Sequence, residues 1–262
     1  MFAAIVGPRE RGDGIRVRLG DNRGMRIALF LTALAATLVA SSPAFAQSCA
    51  PTSERDALRQ IAQCLAGADC RGRTVIERQN LGPGCESEIE VWGRFGNGRS
   101  AAIRDRKMCL SRRKAQPDPA FVHGLLLPLS PLCGVEDPSL ADERNAGRGL
   151  WSDAWTAART RLPEGEIVLA INPPNLRSLN HLHIHILRGN GRAFAPERTL
   201  VIDDLDDVWR AARAFAATRP ETGGGQYGIA VRRRGERYEV VVEPGLPARR
   251  ENPEYLYGVA ED

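Results

Sequence analysis

The sequence predicts an α+β fold with a disulfide-rich N-terminal extension. Three observations carry that expectation. Short segments with period-two apolar alternation, some joined by turn residues, read as strands and hairpins. Segments with apolar residues at helical spacing lie among them. Six cysteines, Cys49, Cys64, Cys70, Cys85, Cys109 and Cys133, all precede residue 181, in a region with a meagre apolar core of its own.

The elements follow in order. Ile27–Ala40 is an apolar run behind Met25-Arg26, and Ala44-Phe45-Ala46 is a small-residue cleavage pattern, so Gln47 is the expected first mature residue. The run is shorter than the roughly 20 apolar residues that a membrane span needs; a retained anchor is the alternative reading. Residues 1–46 therefore stand as an upstream extension and signal peptide, 47–119 as the cysteine-rich extension and 120–262 as the catalytic region. Ser53 caps a helix over Glu54–Ala66 that places Ala57, Leu58, Ile61 and Leu65 on one face and stops at Gly67. Arg71–Gly84, rich in Arg and Gly, reads as loop. Glu88–Arg94 and Arg99–Arg104 flank the hairpin signal Gly96-Asn97-Gly98. Pro117–Pro119 breaks the chain before a strand at His123. Leu150–Arg161 is a helix ended by Pro163, and its Trp151, Ala154, Trp155 and Ala158 form a core face rather than a base-stacking platform. Glu166–Ile171 is a strand leading into the Pro173-Pro174 loop. Asp203–Arg219 is a helix with acids in its first turn and Arg219 at its end, which suits the macrodipole. Tyr227–Arg233 and Arg237–Glu243 form a last hairpin, and Pro244–Asp262 reads as an irregular tail.

The chemistry concentrates in His181-Leu182-His183-Ile184-His185-Ile186. The chain has four histidines, and three fall within these residues. Strict alternation reads as a half-buried strand with its imidazoles on one surface. At about 3.3 Å rise per residue, His181 and His185 stand about 13 Å apart, too far to converge easily on one ion with bonds of about 2 Å. A His-x-His pair could bind zinc only with further ligands. No metal and no other cofactor is expected. Imidazole can act instead as nucleophile or proton shuttle near neutral pH.

His-φ-His-φ-His-φ, with φ apolar, resembles the signature of the histidine triad (HIT) superfamily of nucleotidyl hydrolases and transferases. His123-Gly124-Leu125-Leu126-Leu127-Pro128 is similar to that superfamily's upstream strand, and Asn172 sits where it carries a phosphate-contacting amide. Within the superfamily, Leu125–Leu140, Leu150–Arg159 and Leu169–Ile186 resemble the bacterial CDP-diacylglycerol pyrophosphatases, as do Asn180-His181 and Arg177-Ser178. The resemblance runs from about Phe121 to Arg188. It implies an antiparallel HIT-like sheet with flanking helices. It also implies hydrolysis of CDP-diacylglycerol to CMP and phosphatidate through a nucleotidyl-histidine on His183. His181 and His185 would hold the tautomer and donate to phosphate oxygens. His123 and Asn172 would complete the nucleotide pocket, Arg177 would pair with a phosphate and Ser178 would donate to the leaving oxygen.

Charge and cysteine usage bound the rest. Removing residues 1–46, with six arginines and three acids, takes the formal charge from +4 to +1. The one basic run, Arg104–Lys114, reads as a solvated face, with anionic lipid headgroups as the alternative partner. No aromatic-interleaved basic stripe or recognition helix points to nucleic acid. Six cysteines without a C-x-x-C suit an oxidising compartment and allow 15 pairings among which sequence cannot choose. The expected setting is periplasmic, at a membrane surface, with oligomeric state open. Two other functions remain: an exported HIT hydrolase of soluble nucleotides, and a non-catalytic nucleotide- or lipid-binding protein. Detergent dependence separates the first, and binding without turnover would mark the second.

Overall fold

A computed structural model describes residues 57–67, 73–77, 85–109, 123–141, 147–177, 179–245 and 252–259. The leader, its cleavage point, Cys49, Cys70, Ser53, Ser178 and the part of the basic run beyond Cys109 lie outside the described residues. Helix α1 spans Ala57–Ala66, α2 Leu150–Arg159, α3 Val208–Ala217 and α4 Pro253–Tyr257. The strands are β1 Arg73–Glu77, β2 Cys85–Phe95, β3 Ser100–Cys109, β4 His123–Pro128, β5 Ile167–Ile171, β6 Ile184–Arg188, β7 Thr199–Ile202, β8 Tyr227–Arg234 and β9 Arg237–Pro244. They form one sheet in the order β1-β2-β3-β4-β6-β5-β8-β9-β7, with every neighbouring pair antiparallel. The α+β architecture with an antiparallel sheet is as the sequence predicts.

Period-two alternation divides the core between the two faces of this sheet. Leu126, Leu169, Ile171, Ile184, Ile186, Ile229 and Val231 pack with α2 and α3 on one face. Leu125 and Leu127 pack on the other face with Leu58, Ile61 and Leu65 of α1. Val168, Ala170, Leu187, Ala230 and Val241 pack with Tyr257 of α4. Each fully buried Leu or Ile contributes about 1.5–3 kcal/mol of transfer free energy. The tryptophans are core: Trp151 meets Trp209 with ring centroids 5.2 Å apart, and Trp155 meets Tyr238 edge-on at 5.3 Å.

Four elements differ from expectation, each for a local reason. β1 lies inside the segment read as loop, because Thr74-Val75-Ile76 is a β-branched run whose strand preference outweighs its Arg- and Gly-rich flanks. β7 is a short apolar edge strand between Pro196 and Asp203. α4 falls within the segment read as an irregular tail. The histidine strand is shorter than its alternation suggests: β6 starts only at Ile184. In the β4–β6 register the residue facing Leu182 would be Pro128, which has no N–H to continue the ladder. Leu182 donates its N–H to the Leu132 carbonyl instead, at 2.8 Å.

One sheet takes strands from both sides of the boundary read at residue 119. β3 of the cysteine-rich segment pairs directly with β4, with Ile103 opposite Leu125. The β2–β3 register sets Cys85 directly opposite Cys109. Cys64 and Cys133 are each disulfide-bonded. No helix among the described residues is long and apolar enough to cross a membrane.

Candidate active site

Sheet geometry gathers the site on the face covered by α4. His185 stands opposite Leu125 and Ala170 in the ladders, so its side chain shares their face. His123, opposite Leu187, is its diagonal neighbour on the adjacent strand. Asn172, two residues beyond Ala170, lies on that face as β5 ends. The sheet therefore brings together His123, Asn172, His183 and His185, and His181 joins them through its backbone carbonyl. The expected open imidazole surface is a correction: His181, His183 and His185 are 4%, 8% and 5% exposed, because the sheet is covered on both faces.

Each ring is held by a named partner. His181 Nε2–H donates to the Pro128 carbonyl at 2.8 Å. His183 Nδ1–H donates to the His181 carbonyl at 2.8 Å, which leaves its Nε2 with a lone pair. His185 packs edge-on against His183 at 4.8 Å between centroids and stacks on His123 at 5.1 Å. His185 Nδ1 lies 2.8 Å from His123 Nε2, and its Nε2 lies 3.2 Å from Asn172 Nδ2. His185 thus spends both ring nitrogens on protein partners.

Arg177 is placed differently from expectation. Both terminal nitrogens of its guanidinium donate to the Glu136 carboxylate, one at 2.8 Å, and the pair is buried. Gly134 makes room for it: a Cβ there would lie 1.8 Å from Arg177 Nη1. The guanidinium's positive charge acts on the triad from this position, adding to the forces that keep His183 neutral.

Burial, then the neighbouring His185 and at smaller weight Arg177, hold the His183 pKa down at about 3 against an ordinary 6.5. A backbone hydrogen bond to His181 and the Glu254 charge oppose them without prevailing. The ring is therefore a neutral imidazole throughout the physiological range. Between pH 6.5 and about 3 the unfolded chain binds a proton here that the folded chain does not. Stability is accordingly lost as pH falls through that window, with a contribution of up to about 1.4 kcal/mol per pH unit from this group. Urea midpoints at pH 7 and pH 4.5 should separate less in His183→Asn than in the wild type; equal separations would refute the assignment.

Glu254, on α4, completes the cluster. Its carboxylate accepts from Asn172 Nδ2 at 2.8 Å and lies 3.4 Å from His123 Nε2 and 3.7 Å from His185 Nε2. Sequence reasoning missed it. The signal was Asn252-Pro253-Glu254: a capping residue, a proline at the first helical position and an acid in the first turn. Asn252 Oδ1 indeed accepts from Tyr255 N at 3.1 Å. His123, His185 and Glu254 offer ligand atoms within 4.8 Å of one another. The two imidazole nitrogens are 2.8 Å apart, however, shorter than the roughly 3.3 Å edge of a tetrahedron with bonds of about 2 Å. The spacing is that of a hydrogen bond, and the cluster suits a proton better than a metal ion.

A neutral imidazole buried beside an amide and further histidines, on an antiparallel sheet with flanking helices, defines a histidine-triad protein. An uncharacterized HIT-like protein of Synechococcus elongatus is 30% identical over 95 residues, covering 36% of this chain and 82% of that protein; this chain belongs to the HIT-like family. Within it, residues 113–188 match the family model of CDP-diacylglycerol pyrophosphatase. A CDP-diacylglycerol pyrophosphatase of Mycobacterium bovis and a probable one of Mycobacterium tuberculosis are each 45% identical over 69 residues, 24% of this chain and 26% of theirs. A probable one of Mycobacterium leprae is 44% identical over 69 residues, 24% of this chain and 25% of its own. The chain thus spans about a quarter of the length of these relatives. The resemblance read from Phe121 to Arg188 is borne out.

Proposed function

We propose that this protein hydrolyses the phosphoanhydride of CDP-diacylglycerol, giving CMP and phosphatidate. The observation that carries the reading is the His183 ring: its proton is committed at Nδ1, its lone pair is at Nε2, and burial keeps it neutral. A phosphoanhydride shields its phosphorus with anionic oxygens, so a neutral nucleophile meets less repulsion than an anionic one. His183 Nε2 attacks the cytidine α-phosphorus; an N–P bond forms, the anhydride P–O bond breaks and phosphatidate leaves with the bridging oxygen. Water then attacks the same phosphorus, the N–P bond breaks, and CMP and a proton are released. His123, Asn172 and His185 line this centre and Arg177 adds positive potential beside it. Ser178 is assigned to the leaving oxygen by resemblance alone. The family match over 113–188 supports the choice of substrate.

The same reading puts the protein at a membrane surface, where a lipid-linked substrate resides, and on the side outside the cytoplasm. The leader sequence and the disulfide-bonded state of Cys64 and Cys133 support it. So does the Cys85–Cys109 register, since facing residues of an antiparallel pair stand about 4.5–5.5 Å apart at Cα, within the span of a disulfide. Non-reduced peptide mapping that found free thiols throughout would overturn this setting.

The test is incubation with CDP-diacylglycerol labelled at the α-phosphate, with EDTA present. Label should pass to the protein in a form labile to mild acid and stable to base, and leave it as CMP. Turnover without protein-bound label in a rapid quench, or an absolute need for added metal, would refute the route. Equal turnover of soluble cytidine diphosphate esters without detergent would refute the lipid substrate.

A further inference from the structure

We propose that Glu254 is a positioning residue of the triad: through Asn172 it fixes which nitrogen of His185 carries the proton, and so holds the ring that buttresses His183. A carboxylate can only accept, so the Asn172 atom 2.8 Å from Glu254 Oε2 must be the amide nitrogen. The opposite edge of the amide agrees, since Asn172 Oδ1 faces the Glu254 backbone N–H at 3.4 Å. With one amide hydrogen given to Glu254, the other points to His185 Nε2, 3.2 Å away. Two donors would repel there, so His185 Nε2 carries a lone pair and its proton lies on Nδ1. That proton is donated to His123 Nε2 at 2.8 Å. One carboxylate thereby orients Asn172 and, through it, the His185 ring, while its other oxygen lies 3.4 Å from His123 Nε2. His185, fixed at both nitrogens, presents its edge to the His183 ring at 4.8 Å.

The position of Glu254 is itself over-determined. Tyr257 O–H donates to Glu243, which also accepts from Arg198 at 2.7 Å. Asn190, just past β6, donates its side-chain N–H groups to the Leu256 and Gly258 carbonyls at 2.9 and 3.1 Å. Gly228 of β8 admits Pro253 at close range, where a Cβ would lie 2.7 Å from both Pro253 Cγ and the Ile171 carbonyl. Three separate attachments therefore hold a five-residue helix that is too short to persist alone. The acid they hold faces the triad with a side chain only 16% exposed.

The effect on turnover rests on the reading of His183 as nucleophile; the tautomer of His185 does not. Long-range proton–nitrogen NMR spectra of the full chain, with its four histidines nitrogen-labelled, read each tautomer directly. Wild type should show Nε2–H for His181 and Nδ1–H for His183 and His185. Glu254→Ala should leave His181 and His183 unmoved, convert His185 to a mixture, and lower kcat by about ten- to a hundredfold with KM changed by less than about threefold. Glu254→Gln keeps an acceptor oxygen for Asn172; it should restore the His185 tautomer and recover most of kcat. An unmoved His185 in Glu254→Ala would overturn the proposal. Should that variant disturb all four rings, Glu254→Asp decides, because it keeps the charge and withdraws it by one methylene. A mixed His185 beside unmoved His181 and His183 then supports the proposal, and an unmoved His185 sinks it. If CDP-diacylglycerol is not turned over at all, the spectra still decide the role of Glu254.

Discussion

His183→Ala is expected to abolish turnover, with a loss of roughly ten-thousandfold or more in kcat, because only positioning remains once the covalent route is gone. The structure separates this residue from its neighbours. The His183 proton is held by the backbone carbonyl of His181, and that carbonyl survives in His181→Ala. Loss of the His181 ring removes instead the bond to the Pro128 carbonyl, which ties the approach to β6 against the end of β4. His181→Ala and His185→Ala should thus be severely impaired while still binding substrate. Rapid-quench measurement of protein-bound label distinguishes the three: none in His183→Ala, slowed appearance in the other two. Near wild-type turnover in His183→Ala would dispose of the mechanism.

Glu136→Ala is expected to destabilise the fold by about 3–5 kcal/mol, since it strands a buried guanidinium without its counter-charge. The Arg177 and Glu136 side chains are 4% and 2% exposed, so water cannot replace the lost partner without opening the structure. Arg177 Nε has no hydrogen-bond partner among the described residues, which leaves the carboxylate to carry the compensation. Replacing both residues together, as Glu136→Leu with Arg177→Met, should restore most of the loss, because an apolar pair of similar volume avoids the desolvation cost altogether. Urea titration of the two variants against wild type measures this. A single-variant loss below about 1 kcal/mol would mean that the pair is solvated in solution. The double variant would also remove a positive charge from the neighbourhood of His183, so its activity reports separately on that charge.

The histidine alternation and helices α1, α2 and α3 were legible because each follows a local period, whereas Asn172 came from the family resemblance. Leu125 and Leu126 part to opposite faces as alternation requires, and α2 buries the predicted Trp151, Ala154, Trp155 and Ala158. Missing were features decided by distant chain. The early end of the His181–Ile186 ladder is set by Pro128, over fifty residues away, and no pattern within the six residues reports it. Arg177 looked available for phosphate because nothing marks Glu136 as its partner across 41 residues. Glu254 lies 82 residues beyond Asn172, in a segment whose Pro, Arg and Glu content masks a five-residue helix. Short helices carry too few turns to show a period, and their place comes from tertiary attachments instead.

The seating of α4 on the β8–β9 hairpin has a kinetic side. The Asn190 and Asn172 bonds to α4 join residues more than sixty apart in the chain, and such long closures form late in folding and open early. Amide protons of α4 should therefore exchange with solvent through local openings, well before those of β5 and β6, whose ladders lie at the centre of the sheet. A molecule in that opened state keeps its nucleophile and most of its pocket while His185 has lost its orientation. A fraction of folded molecules would turn over slowly at any moment, and that fraction would grow with temperature below the unfolding transition. Activity should then decline on warming before the tryptophan pair Trp151–Trp209 reports any loss of the core.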